Sequence, residues 1–392
     1  MDILIDNNAV KRIETNKFGI FKFQMGLSNM KVEVILQRVQ DAQERFRVSP
    51  LASVATKLEK EVVVSSVFGT NTIEGGELSE QETEQALLLS PEEIQNIEQR
   101  RALNIKDAYD YIREVSVSEN WNPSIADVIE VHRRVYDELD DGNEQNVPGV
   151  LRDNPDGIVT RVGNEAHGGV YKPPQNGHDI RLLLESLLDW NIELAENGVP
   201  ALIRAPLIHL YFEVIHPFWD GNGRVGRVLE AGILYAEGFR YAPFAQASYY
   251  LRNIDQYFAL FNFCRKAANK KHDCPNIEFV TFFLEGMLET INYLHDRVNR
   301  MVHVVLFEAQ LKRLHDYKVV NDRQYTIVNE VLRKGGISYP EEIRQAIWYQ
   351  ALYSKLTTKT RSRDMKNLID MGLLVLDEDG NIIPGFIEVR EL

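Results

Sequence analysis

Twelve consecutive residues, His216-Pro-Phe-Trp-Asp220-Gly-Asn-Gly-Arg224-Val-Gly-Arg227, limit how this chain can fold. The stretch before them, Ala205 to Ile215, is apolar nearly all round, as a helix buried on every side has to be. Pro217 disfavours α geometry in the residue before it, so the helix boundary falls near His216 and fixes an imidazole at a helix end. Gly221-Asn222-Gly223 can take backbone conformations that other residues avoid and can turn successive N–H groups into an anion-binding nest opening a second helix. Arg224 and Arg227, three apart on that helix, are expected to point at the same bound anion. Asp220 puts a carboxylate where a phosphate-bound Mg²⁺ needs one, and His216 can accept a proton near neutral pH. Together these parts describe group transfer from a nucleotide.

The segment resembles the signature of Fic-domain proteins, H-P-F-x-D/E-G-N-G-R-x-x-R, at every specified position, and the lead-in His209, Phe212 and Ile215 is similar to that family as well. The resemblance implies a Fic helical core and transfer of AMP from ATP to a hydroxyl side chain of a target protein, with Mg²⁺ required. By position it implies that His216 deprotonates the target hydroxyl and that Asp220 holds Mg²⁺. Gly221, Asn222 and Gly223 would cradle the α and β phosphates, Arg224 would bind phosphate, Arg227 would orient the γ-phosphate and Phe218 would anchor the core. The family also places an aromatic pair near adenine. Tyr257-Phe258 stands at that place, with phenylalanine where tyrosine is frequent, and makes Tyr257 the candidate for nucleotide contact.

A second resemblance lies upstream. Thr70-Asn-Thr-Ile-Glu74-Gly75 is similar to the inhibitory motif S/T-x-x-x-E-G/N of self-restrained Fic proteins. Thr70 and Glu74 are four apart and share a face of any helix that carries them. The resemblance implies that Glu74 pairs with Arg227 and restrains transfer.

The chain has 392 residues, 44% hydrophobic and 26% charged, enough for two or three domains of an ordinary soluble protein. A net charge of −14 opposes broad affinity for nucleic acid or anionic membrane, and the basic run Arg265-Lys266 to Lys270-Lys271-His272 reads as a solvated surface. Two cysteines, Cys264 and Cys274, fit a reducing compartment. The first thirty residues lack a signal-peptide pattern and no run of about twenty apolar residues follows, so a cytoplasmic location is expected.

Helical spacing predicts elements over Met30 to Phe46, Pro50 to Thr70 and Pro123 to Glu138, the last broken by Asp140-Asp-Gly-Asn143. Capping boxes at Ser79–Glu82 and Ser90–Glu93 start two more, the second running to about Ile112. GIFKFQMG, 19–26, is a short strand or an arm. Ile158 to Val162 and Gly168 to Tyr171 make a hairpin that resembles the family's flap, and a helix follows from Ile180 to Asn191. A loop is expected at Tyr241 to Phe244 and a long closing helix from Phe279 to about Arg313. Three further helices, the third over 357–371 with Lys359, Arg361, Arg363 and Lys366, and a two-stranded wing resemble a winged helix. Asp377, Glu378 and Asp379 make that wing acidic, so protein contact or homo-oligomerisation is preferred over DNA as its role.

The expected architecture is therefore mainly α: an N-terminal helical segment with an inhibitory helix over 1–115, a Fic catalytic core with a β-hairpin flap over 116–310, and a small winged-helix-like domain over 311–392. The partners are ATP and an unidentified target protein, with no membrane. The rival readings are removal of AMP using Glu74, and a nucleotide-sensing DNA-binding regulator.

Overall fold

The computed structural model describes residues 10–27, 29–118, 121–139, 142 and 144–386. It is mainly helical and divides into two compact units. One holds the described residues up to 51 and 55–295, the other 52–54 and the described residues from 296 onward. No helix among the described residues is long and apolar enough to cross a membrane.

The first unit opens with an antiparallel hairpin, β1 (Val10–Glu14) and β2 (Ile20–Gln24), so the 19–26 segment is a strand. Alternation turns Phe21 and Phe23 inward, where Phe23 stacks on Trp190 and meets Tyr211 edge-on. The hairpin turn is fastened by Asp179, which accepts the N–H groups of Asn16, Lys17 and Phe18 at 2.9 Å each. Then come α1 (Asn29–Arg47), α2 (Ala55–Ile73), α3 (Glu80–Ala86) and α4 (Ile97–Val115). The Ser79 box does start α3. The Ser90 box closes only one 3₁₀ turn, Pro91–Glu93, and the expected helix begins at Ile97 instead. The reason is local, since Ile94 is extended and the Asn96 side chain caps the Gln99 N–H.

α5 (Ile125–Val135) is capped reciprocally by Ser124 and Asp127 and ends three residues earlier than expected. Of the Asp140 to Asn143 break, residues 140, 141 and 143 lie outside the described residues. The next hairpin pairs β3 (Val162–Asn164) with β4 (Gly169–Tyr171), so Ile158 and Val159 are not in the ladder. Five helices follow, α6 (Gly177–Glu196), α7 (Ala201–Ile215), α8 (Asn222–Ala236), α9 (Ala242–Arg252) and α10 (Ile254–Asn269), before the first half of the helix that starts at Ile277 completes the unit. α6 runs five residues past Asn191. Tyr241-Ala-Pro-Phe244 is not a loop but the start of α9, where Pro243 in the first turn lacks only an N–H the helix does not use.

α7 is the mount for the site. Leu202, Ile203, Leu207, Ile208, Leu210, Phe212 and Ile215 are each at most 2% exposed. Their burial contributes on the order of 10–20 kcal/mol before entropy is counted. Arg204 can be buried among them because it donates to Val199 O, Asn191 Oδ1 and the Glu237 carboxylate at 2.6–3.2 Å.

α11 (Ile277–Asp316) is followed in the second unit by α12 (Asp322–Lys334), β5 (Ile337–Ser338), α13 (Glu341–Gln345), α14 (Ile347–Leu352), α15 (Thr358–Asp370), β6 (Leu374–Leu376) and β7 (Asn381–Pro384). The short β5 was not foreseen and pairs with β7, giving a three-stranded sheet in the order β5-β7-β6. Its core gathers Leu311, Ile327, Val331, Ile343, Tyr349, Leu368 and Ile382.

Burial raises the Asp179 carboxyl, but the three backbone N–H groups outweigh it and hold it below the usual carboxylate range. A depressed carboxyl contributes stability above its unfolded value, about 4, and loses it as pH falls through the lower folded value. Once intrinsic exchange is divided out, protection of the amides at residues 16–18 should therefore stay constant at pH 5–7 and fall in strong acid. Asp179→Ala should remove that pH dependence and cost roughly 1–3 kcal/mol.

Candidate functional site

The buried helix α7 ends where the chain is forced out of α geometry. His216 caps it in the left-handed region, φ 54°, with its N–H on Phe212 O at 2.8 Å. An imidazole-bearing residue at positive φ costs on the order of 1–2 kcal/mol, so the surroundings have to hold it there. Arg152 does so: its guanidinium donates twice to His216 O, at 2.8 and 3.1 Å, and its N–H to Pro217 O at 2.8 Å. Arg152 is fully buried and has no carboxylate partner among the described residues, and burial pushes its pKa down to about 10. Asn222 continues the clamp, accepting the Phe218 N–H at 2.9 Å and donating back to Phe218 O at 3.0 Å. Its side chain thus shapes the loop, leaving its backbone N–H at the start of α8.

Gly221 turns the chain at φ 79° into α8. The two arginines of that helix then part company, because three residues on a helix are about 60° apart. Arg224 donates to Asp220 Oδ2 at 3.0 Å and to the Tyr136 hydroxyl at 2.6 Å, with its guanidinium over the Tyr136 ring. Tyr136 also hydrogen-bonds Asp220 Oδ2. Burial raises the Asp220 carboxyl, but the Arg224 charge, the Tyr136 hydroxyl and the Gly221 N–H together hold it below the ordinary value. His132 completes this corner. It lies flat on Phe218 with ring centroids 3.7 Å apart, and burial pushes its pKa down to about 4. A neutral ring that accepts Gly149 N–H at Nδ1 has its proton on Nε2, which donates to Asp220 O at 3.2 Å.

Arg227 takes the other direction. Its Nη2 meets Glu74 Oε1 at 2.6 Å and Thr70 O at 3.3 Å, and its Nη1 donates to the Tyr257 hydroxyl at 3.2 Å. Burial opposes the charge, yet Tyr257 and Glu74 more than offset it and hold the guanidinium above its ordinary value. Glu74 is delivered by the end of α2, where Gly75 turns at φ 83° and Thr70 is pinned to the Tyr109 hydroxyl at 2.9 Å. Gly223 makes room for it, since a Cβ there would overlap the Glu74 carboxylate. Tyr257 is buried and stacked on Tyr250, and it lines the cavity together with Phe258. Behind Tyr257, His209 Nε2 lies 3.1 Å from its hydroxyl, and His209 Nδ1 is 2.7 Å from the buried Glu230.

These groups surround a cavity of about 300 Å³ lined by Glu74, His216, Asp220, Gly223 and Arg227, with Val162, Gly163, Asn164 and His167 from the β3–β4 hairpin. His216 and Arg227 thus face one space, while Arg224 is not part of its lining. The His216 Nδ1 is buried, 3.8 Å from Glu213 Oε2. No cluster of three or more His, Cys, Asp or Glu side chains suited to a metal occurs among the described residues. A Mg²⁺ ion that binds through one carboxylate plus substrate phosphates does not need one. The half-exposed Asp220, with Oδ1 bonded only to the N–H of its neighbour Gly221, fits that requirement.

A left-handed helix end carrying histidine, a glycine turn and a guanidinium face a shared cavity, and residues 122–234 of the chain match the Fic/DOC family model. Among curated relatives, the chain is 24% identical over 213 residues to "Protein adenylyltransferase Fic" of Nematostella vectensis, covering 52% of this chain and 45% of that protein. It is 26% identical over 211 residues to "Protein adenylyltransferase fic-1" of Caenorhabditis elegans, covering 52% and 38%. The chain therefore spans less than half the length of these relatives. Its fold is similar to that of a Fic family protein from Desulfovibrio desulfuricans G20, with a TM-score of 0.54 at 17% identity over 90% of this chain and 95% of that one.

Arg152, Tyr136, His132, Tyr171 and Glu213 stand around the site without having been singled out for it in the sequence. The left-handed His216 gives a test that needs no substrate. His216→Gly should be more stable than His216→Ala by about 1 kcal/mol, because only glycine adopts this φ freely. Denaturant midpoints at unchanged slope would measure it; equal midpoints would mean that the backbone relaxes when the imidazole is gone.

Proposed function

We propose that the chain is a protein adenylyltransferase whose activity is restrained by Glu74. The observation that carries this reading is the cavity in which His216, Asp220 and Arg227 meet and in which a carboxylate stands at the glycine-lined start of α8. A helix start of this kind favours an anion, and Glu74 supplies one in place of a nucleotide phosphate. The names of the relatives support the reaction class.

In the reaction, a hydroxyl oxygen of the target attacks the α-phosphorus of ATP. The new O–P bond replaces the bond to the bridging oxygen, pyrophosphate leaves, and the hydroxyl proton passes to His216. Arg152 holds the peptide that aims the imidazole. Asp220 would hold Mg²⁺, which stabilises the charge of the leaving phosphates. Arg227, released from Glu74, orients the terminal phosphate so that attack is in line. Tyr257 supports that arginine rather than the base.

Glu74 in the same cavity as His216 also favours a second reading, in which it orients a water that hydrolyses an AMP–protein bond. For the second unit we propose a winged-helix-like interaction domain that contacts protein, in a cytoplasmic enzyme.

Incubation of the purified protein with labelled ATP and cell lysate tests the main reading. His216→Ala should lower labelling by ~10²–10⁴ while ATP binding persists, since a general base is lost and the phosphate groups are not. Comparable labelling by that variant would remove His216 from the chemistry.

Glu74→Gly should raise labelling roughly ten- to a hundredfold, the worth of one charge-assisted contact. Loss of label release from a modified target in the same variant would establish the hydrolytic reading. No gain in incorporation would rule out restraint by Glu74.

A further inference from the structure

A second cavity, of about 720 Å³ against about 300 Å³ for the first, opens on the other side of the β3–β4 hairpin. The strand β3 faces the site already described, whereas Val170, Lys172 and Pro173, on and after β4, line the second cavity. Tyr171 borders both and is fixed by its hydroxyl on Glu213 O at 2.8 Å. The opposite wall is the outer face of the β1–β2 hairpin.

The charge of this groove is opposite to that of the molecule. On a chain with a net charge of −14, its lining includes Arg12, Lys22, Lys172, Arg265 and Lys271, with Asp273 as the carboxylate. Among the described residues, none of Arg12, Lys22, Lys172 and Lys271 has an ion-pair partner. Arg265 meets neutral groups, Asn262 Oδ1 at 3.0 Å and the Tyr171 ring, and its buried Nε has no partner. Arg12 and Lys22 are directly opposite each other in the β1–β2 ladder. Like charges so placed repel and destabilise the pair, a cost that a bound anion would remove. Exposed apolar side chains sit among the cations: Val10, Phe18, Ile20 and Val170 are between 37% and 59% exposed.

Cations spread over two hairpins and a helix, interleaved with apolar groups, suit a chain of anions rather than one phosphate. An extended peptide presents side chains to such a wall at every second residue. The negative charge of the whole molecule opposes a long nucleic acid.

We propose that this groove docks an acidic, extended segment of the protein substrate, apart from the hydroxyl that is modified. That the docked protein is a substrate rests on the AMP-transfer reading; that the groove binds an acidic peptide does not.

The experiment uses the full chain and a fluorescein-labelled ten-residue peptide of alternating glutamate and valine, followed by anisotropy at low and physiological salt. Binding should occur, weaken as salt is raised, and fall about tenfold or more in Arg12→Glu/Lys22→Glu, where attraction becomes repulsion. Lys172→Glu, on the other wall, should weaken it independently, with circular dichroism melts confirming that both variants are folded. Lys359→Glu/Arg363→Glu in the second unit should leave it unchanged, and the glutamine version of the peptide should not bind. Absence of binding, binding indifferent to Arg12→Glu/Lys22→Glu, displacement by millimolar inorganic phosphate, or tighter binding of a single-stranded decanucleotide would each overturn the proposal. With labelled ATP, the Arg12→Glu/Lys22→Glu enzyme should keep self-modification while losing labelling of its target. Peptide binding without any label transfer would refute the AMP-transfer reading and leave the groove's assignment standing.

Discussion

A guanidinium that is almost wholly removed from water has to be given a counter-charge, and much of the first unit is arranged around supplying one to Arg227. Its side chain is 2% exposed. The Glu74 carboxylate comes from α2, the Tyr257 hydroxyl from α10, and the Thr70 carbonyl from the last turn of α2. Each partner is itself fixed: Thr70 by Tyr109 of α4, Tyr257 by His209 of α7, and His209 by Glu230 of α8, which also accepts the Tyr250 hydroxyl of α9. A buried polar network gains from each bond it makes, and of the Arg227 nitrogens only Nε is buried without a partner among the described residues. Removing one partner leaves the others buried and short of a bond, so the arginine's position depends on six helices at once.

The second constraint is the chain reversal between α7 and α8. Sterics would let His216 leave the left-handed region, and the two carbonyls that follow would then point elsewhere. Arg152 and Asn222 hold those peptides by hydrogen bonds from opposite sides. The imidazole and the glycine-lined start of α8 are therefore parts of one turn, held by Arg152 and Asn222.

Contiguous features of the site were legible in the sequence. The twelve-residue motif, the buried helix before it and the carboxylate of Glu74 are local patterns, and each stands at the cavity. The divergence of the two arginines was not legible: their spacing suggested convergence on one anion, whereas Arg224 turns to Asp220 and Arg227 to Glu74. What was not legible lies in residues that matter only through tertiary placement. Arg152 sits in an irregular segment with no periodicity, and His132 and Tyr136 look like ordinary members of an amphipathic helix. Tyr257 was singled out only through the family resemblance, and the hydrogen bond from Arg227 to its hydroxyl could not be read from the sequence because it joins residues of two different helices. In the fold, the errors follow competing local signals: the Ser90 box lost to the Asn96 cap, and the loop expected at Tyr241 to Phe244 is a helix start that tolerates Pro243.

The helix that carries Glu74 crosses α9 with Gly69 at the contact, so close that a Cβ would lie 3.0 Å from the Ala247 backbone. Ser65 and Ser248 are hydrogen-bonded across the same crossing at 2.6 Å. Two backbones this near cannot slide or roll past each other, so α2 behaves as a fixed post. Glu74 stands just beyond its last helical residue, Ile73, and ahead of Gly75 and Gly76. Withdrawal of the carboxylate is then a matter of uncoiling a single terminal turn, which belongs to the sub-microsecond to microsecond regime of helix–coil exchange rather than to the slower motion of whole domains. The ion pair between Glu74 and Arg227, 2.6 Å long, stands at the tip of that turn.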